Sequence, residues 1–303
     1  MKDYLVRGLA ANGTVRAFAV KSTELVKEAA RRHETYPVVS AALGRLLSAG
    51  AMMGAMMKGE EDLITLTIKG DGPIGNITVT ADSHGNVKGF AGNPVVELPL
   101  QPSGKLDVGG AIGQGTLTVI MDLGLAEPYN GTVELLTGEV GDDLAYYFTV
   151  SEQTPSAVGL GVMVDRDYSV KHAGGFIIQM MPNVEEETIC AIEQKLANLP
   201  QVTTLMEEGN SPEDILEKIL GDLGLEFTDH EDIRFHCNCT KDRVSKALAT
   251  ISDSDIQEMI DDKEDVEIKC FFCNTAYNFS VDELKAILES RHEKQDEGFE
   301  EDR

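Results

Sequence analysis

The chain has 303 residues, 42% hydrophobic and 26% charged, a balance that builds an ordinary core and leaves length for two domains. Its formal net charge of -26 excludes partners approached through phosphates, so DNA, RNA and anionic membrane are not expected. Residues 201–303 hold 28 of the 52 acids but only 11 of the 26 bases, and the chain changes character near residue 200.

Met1 to Gly13 carries Asp3 and Arg7 among its apolar residues and lacks the uninterrupted apolar run of a signal peptide, so a cytoplasmic protein is expected. From Tyr4 to Val20 two alternating runs meet at Asn12-Gly13, a hairpin dipeptide. Ser22 is placed to cap a helix over Thr23 to His33, and Pro37 opens a second one. The apolar stretch Val38 to Met57 has the length of a membrane span, but Arg45 lies inside it and predicts a buried helix instead. Ser40, Gly44 and Ser48, followed by Gly50 and Gly54, give this helix a small-residue side for close packing. Met52, Met53, Met56 and Met57 are expected in the core.

Strand patterns follow at 63–69, 74–81, 87–91, 116–122 and 131–136, then a helix over 142–153 and strands at 157–164 and 170–180. Gly70 to Gly75 and Gly109 to Gly115 lack the Lys-Ser/Thr of a phosphate-binding loop and are expected to be turns. Blocks of strands and helices argue for an α+β fold with a mixed or antiparallel sheet. After Pro182, helices are announced by Ile189, Ile192, Leu196 and Leu199, and then by the cap Ser211, Pro212 and the apolar set Ile215, Leu216, Ile219, Leu220 and Leu223. The expected organisation is a sheet-plus-helix domain at 1–180, a helical linker at 181–232, a small α+β module at 233–290 and a disordered acidic tail at 291–303. Within the module, Ser252 caps a helix, 266–279 is hairpin-like, and Ser280 with Glu283 forms a capping box.

The strongest signal is Cys237-x-Cys239 followed by Cys270-x-x-Cys273. Two close pairs on separate short elements can supply four thiolates in the tetrahedron that zinc prefers, which predicts one Zn2+ per chain. An inert zinc staple is one reading. Each pair is also close enough for a disulfide of its own, and a bridge across one residue is strained and labile, which favours a switch. Cys190 is expected on the core or flank of its helix, and His236 has no place in a set already complete at four.

These two cysteine pairs, the preceding sheet domain, the acidic helical connector and the stretch Lys69 to Gly75 resemble the redox-regulated chaperone family of heat-shock protein 33. The resemblance spans essentially the whole chain. It implies a non-enzymatic, ATP-independent holdase for unfolding proteins, monomeric and inactive when reduced and zinc-bound. It further implies an oxidised, active form that releases zinc, dimerises and carries disulfides Cys237 to Cys239 and Cys270 to Cys273. Exposure of Ile215, Leu216, Ile219, Leu220 and Leu223 would then supply a client surface. Two other functions stay open: a zinc-stapled adaptor indifferent to oxidants, and a thiol-disulfide oxidoreductase using Cys270 and Cys273. The β-prone flanks of those two cysteines speak against the second.

Overall fold

The computed structural model describes residues 2–300, with side chains to residue 290. The tail expected at 291–303 therefore lies outside the fully described residues. The chain forms two compact units that divide between His236 and Cys237.

The first unit begins with the expected hairpin, β1 (Tyr4–Ala10) and β2 (Val15–Lys21), joined by a short turn in which Asn12 and Gly13 adopt positive φ. Helices α1 (Thr23–His33) and α2 (Pro37–Gly54) follow. Next come β3 (Leu63–Gly70), β4 (Asn76–Asp82), β5 (Asn86–Ala91), α3 (Val108–Ile112), β6 (Gly115–Asp122), β7 (Tyr129–Glu134), α4 (Gly141–Val150), β8 (Ser156–Val164) and β9 (Val170–Met180). Three helices, α5 (Glu186–Ala197), α6 (Val202–Glu207) and α7 (Pro212–Leu220), lead to β10 (Glu226–Asp232) and the two-residue β11 (Arg234–Phe235).

The strands make two sheets, ordered β10-β1-β2-β9-β8 and β11-β5-β4-β3-β6-β7. Neighbours are antiparallel except β11 and β5, which run parallel. Side chains alternate across a strand, and the first sheet is apolar on both faces. Leu5, Phe18, Val20 and Ile177 point into one core with α2 and the second sheet, while Val6, Ala17, Ala19 and Ile178 point into another beneath α5 to α7. Helix α2 is long and apolar enough to meet the criteria for a membrane span, yet 89% of it is buried here between the sheets. Gly44 is needed there: a Cβ would stand 2.6 Å from a Val26 methyl and 2.9 Å from a Val162 methyl. Met52 and Met53 are fully buried, while Met56 packs at the core's edge.

Three local expectations change. Ser22 makes no capping bond to α1; its hydroxyl meets Ser48 Oγ at 2.7 Å, and Asp3 Oδ2 accepts the Leu25 N–H at 2.7 Å in its place. The 109–115 turn contains the short helix α3, whose start is capped by Asp107 accepting from the Gly110 N–H. Segment 226–232 is a strand, because Arg7 reaches both Asp229 and Glu231 and Tyr4 stacks on His230 at 4.5 Å. That pairing is carried by charge and stacking, so apolar alternation does not reveal it.

A buried carboxylate organises the approach to α4. Asp143 accepts the N–H groups of Leu136, Thr137 and Gly138 through Oδ1 and that of Val140 through Oδ2. The clamp holds Val140 at a φ of 61°, a conformation costly for a β-branched residue.

The second unit contains α8 (Lys241–Leu248), α9 (Asp253–Asp261), β12 (Val266–Lys269), β13 (Ala276–Phe279) and α10 (Val281–Glu300). Thr240 and Ser252 cap the first two helices, and Ser280 with Glu283 forms the expected box before α10. Its core is small: Leu248, Ile256, Ile260, Phe279, Leu284 and Ile287.

Candidate metal centre

Strands β12 and β13 pair from Val266–Phe279 to Lys269–Ala276 and present Cys270 to Cys273 in the connection between them. The connection is a tight knuckle. Asn274 N–H bonds the Cys270 carbonyl at 2.7 Å, Cys270 N–H bonds the Thr275 carbonyl at 3.0 Å, and Asn274 takes a positive φ of 56°. Asparagine tolerates this left-handed conformation better than most residues. The other jaw, Cys237 to Cys239, lies just before the Thr240 cap of α8.

The four sulfurs lie within 4.8 Å of one another. Cys237 Sγ stands 3.8 Å from Cys270 Sγ, and Cys239 Sγ stands 3.2 Å from Cys273 Sγ. A regular tetrahedron with zinc–sulfur bonds of about 2.3 Å has edges of about 3.8 Å. The donor set therefore fits a four-thiolate zinc site in chemistry and size.

The surroundings separate the thiols. Burial pushes Cys273 up, but hydrogen bonding with the Thr275 side chain and backbone, then with Cys239 and Cys270, outweighs it and brings this thiol down to about 7. Cys237 and Cys270 are raised, foremost by burial and further by their thiol neighbours. Of the three shifted thiols, Cys273 is thus the readiest to ionise. Cations would relieve the repulsion among several thiolates packed this closely.

Two participants escape motif reasoning. Tyr277 Oη lies 3.1 Å from both the Cys239 carbonyl oxygen and Cys239 Sγ, and the hydrogen bond to that sulfur raises its pKa to about 12. Thr275 Oγ1 lies 3.2 Å from Cys273 Sγ. Tyr277 sits opposite Ile268 in the ladder, one strand step past the knuckle, and alternation from Thr275 was the available signal.

The other expected residues sit elsewhere. Cys190 is exposed on α5, and His236 is exposed at the end of the first unit with its backbone N–H on the Val87 carbonyl. Ile215, Leu216, Ile219 and Leu220 are buried under α7 against the first sheet, with Leu223 partly buried beside them.

Taken by itself, the molecule is an α+β protein whose small C-terminal unit is built around a four-thiol, metal-competent cluster. Residues 3–280 match the family described as Hsp33 protein. A 33 kDa chaperonin of Agathobacter rectalis is 61% identical over 287 residues, covering 95% of this chain and 100% of that relative. Another, from Lachnoclostridium phytofermentans, is 55% identical over 288 residues, with 95% and 99% covered. The crystal structure of a 33 kDa chaperonin, a heat shock protein 33 homolog from Thermotoga maritima, superposes with a TM-score of 0.90 at 38% identity, covering 97% of this chain and 100% of that one. The chain belongs to the Hsp33 family.

Proposed function

We propose that this chain is a redox-regulated, ATP-independent holdase that binds unfolding proteins, held inactive while its four thiols are reduced and zinc-bound. The observation that carries the reading is the convergence of Cys237, Cys239, Cys270 and Cys273 in one small unit. Zinc, when bound, would hold the thiols as thiolates and contribute folding free energy to a unit whose own core is slight. Oxidation removes four electrons from four thiolates to make two disulfides. Two peroxide molecules accept them and, with four protons, become four waters; the metal then has no ligands left. In the metal-free chain Cys273, with the lowest pKa of the three shifted thiols, is the expected first nucleophile.

The holding surface is assigned to the apolar side of α7. Ile215, Leu216, Ile219, Leu220 and Leu223 cover one face of the first sheet in the closed state, and lifting α7 would expose both partners of that contact. Strand β10 follows α7 and ends at Asp232, five residues before Cys237, and it is an exposed, acidic edge strand. Disorder spreading back from residue 237 would have to pass β11 before it reached β10 and then α7. The reading includes a monomer when reduced, a homodimer when oxidised, and a cytoplasmic setting in which thiols stay reduced until stress.

A second reading, a zinc staple indifferent to oxidants, draws support from sulfur contacts that join the two jaws, Cys237 to Cys270 and Cys239 to Cys273. Bridges along those contacts would lock the unit shut. Peptide mapping after peroxide decides between them: bridges Cys237 to Cys239 and Cys270 to Cys273 support the switch, and cross-jaw bridges with retained order in 237–290 refute it.

A further inference from the structure

Hydrogen bonds reach the four sulfurs from two kinds of donor. Cys237 takes one from the backbone of Cys239, and Cys270 takes them from the backbone of Phe272 and Cys273. These come from the chain path of each jaw itself. Cys239 and Cys273 also meet side-chain hydroxyls, those of Tyr277 and Thr275. Thr275 lies two residues past Cys273 and is a local partner. Tyr277 lies 38 residues from Cys239, on the strand that leaves the opposite jaw, so its contact is a long-range product of folding.

Tyr277 is fixed by more than this contact. Pairing with Ile268 across the β12–β13 ladder sets its backbone, and the side chain packs against the core that includes Leu248, Phe279 and Leu284. Its hydroxyl is thereby held 3.1 Å from Cys239 Sγ and 3.1 Å from the Cys239 carbonyl oxygen. One hydrogen faces two acceptors. A neutral thiol is a weak acceptor, so with Cys239 protonated the carbonyl competes well for the hydrogen. A thiolate is charged, and a charge-assisted hydrogen bond is about twice as strong as a neutral one, so with Cys239 ionised the sulfur takes it. Metal ligation requires the ionised form.

We propose that Tyr277 is a positioning residue of the four-thiol centre: its phenol donates to the Cys239 thiolate and restrains that sulfur's reaction with electrophiles while the four thiols hold a metal. Electron density drawn to the phenol hydrogen is less available to an electrophile, and the hydrogen bond weakens as the sulfur's charge is spent in forming a new bond. Partners of this kind around metal ligands tune the ligand as well as orient it. The restraint is specific to Cys239, because the backbone donors at Cys237 and Cys270 do not change with the side chain at 277. The proposal rests on the metal-held thiols of the function proposed above and adds a side chain that sets how readily one of them gives way.

Iodoacetamide tests this without any oxidation, since it forms an S–C bond and releases iodide. Peptide mapping under limiting reagent reads the initial rate at each cysteine of the zinc-loaded, full-length chain. Tyr277→Phe keeps the ring and removes the hydroxyl; because a hydrogen bond to a charged group is among the stronger ones, Cys239 should react about three- to tenfold faster, with Cys237 and Cys270 changed by less than about twofold. Cobalt(II) in place of zinc gives a signature that loosened packing alone does not. Losing the hydrogen bond raises the energy of the sulfur electrons, so the thiolate-to-cobalt charge-transfer band should move to longer wavelength. Tyr277→3-fluorotyrosine strengthens the donor, should slow Cys239 and move the band the other way, and decides the matter where the Phe variant does not hold metal. An unchanged Cys239 rate, an unmoved band, or equal acceleration at all four cysteines overturns the assignment. A chain that releases zinc and suppresses aggregation after peroxide, yet alkylates alike with and without the hydroxyl, sinks this proposal alone. One that gives the expected alkylation rates but never suppresses aggregation sinks the holdase reading alone.

Discussion

Leu284→Ala should deepen the second unit's dependence on its metal. Leu284 is fully buried among Leu248, Ile256, Ile260, Phe279 and Ile287, and among the described residues these six are the buried apolar side chains of that core. At about 0.05–0.15 kcal/mol per residue, a unit spanning 237–290 has about 3–8 kcal/mol of stability. Truncating a buried leucine to alanine removes about 2–5 kcal/mol, so the variant without metal should lie near or below its folding threshold. Structural zinc contributes about 10–16 kcal/mol of apparent binding free energy in small peptides, enough to restore it. Hydrogen exchange across 237–290, with zinc and after chelation, reads the balance. Zinc-loaded Leu284→Ala should keep Phe279 and Leu284 protected, and chelation should abolish protection there while α2 and the two large sheets stay slow. If the chelated variant protects these amides as well as the zinc-loaded parent, the unit does not need its metal and the coupling argued above fails.

Asp143→Ala should cost about 2–6 kcal/mol in urea denaturation, since two of the four N–H groups it leaves, those of Gly138 and Val140, are buried and each such loss costs about 1–3 kcal/mol. Asp143→Asn, which keeps one acceptor oxygen, should cost less; an alanine effect below about 1 kcal/mol contradicts the clamp. Glu28, brought down to about 2 by hydrogen bonds from Arg31 and then Arg32, contributes stability above its ordinary pKa of 4.5 that is lost as pH falls through about 2. Because the pair is partly solvated the contribution is below about 1 kcal/mol: Glu28→Gln should lower the urea midpoint slightly at pH 7 and leave it unchanged at pH 1.5, and a deficit that grows towards low pH refutes the assignment. Cys190→Ser should leave one zinc per chain by metal analysis, because Cys190 is exposed on α5 and the four-thiol set lies in the other unit; loss of metal would contradict this.

Much of the fold is legible where one physical signal dominates. Asn12-Gly13, Pro37, Ser211-Pro212 and the Ser280/Glu283 box each mark an element boundary through local backbone chemistry, and the structure has turns or helix starts there. What the residues hide is long-range. Asp3 caps α1 from the start of another element, and its burial holds its carboxyl above the ordinary range, yet in sequence it reads as a charge interrupting an apolar run. Strand β10 forms because Arg7 bonds Glu231, 224 residues distant, and Tyr4 stacks on His230. At the metal centre the four cysteines announce themselves by spacing, whereas Tyr277 and Thr275 become visible only once the β12–β13 register brings them to the sulfurs. The apolar side of α7 reads from sequence as a surface that only oxidation would expose, and in the structure it is buried.

The central claim is that oxidation of four metal-held thiols turns a closed chain into one that holds unfolding proteins. The most direct test measures bound zinc and suppression of thermal aggregation of a denaturing protein in parallel, on the same sample, before and after peroxide at raised temperature without ATP. The account predicts one zinc and little suppression before oxidation, and after it zinc release with a rise in suppression on the same time course. Suppression already complete with zinc bound, or zinc release that leaves suppression unchanged, would contradict it.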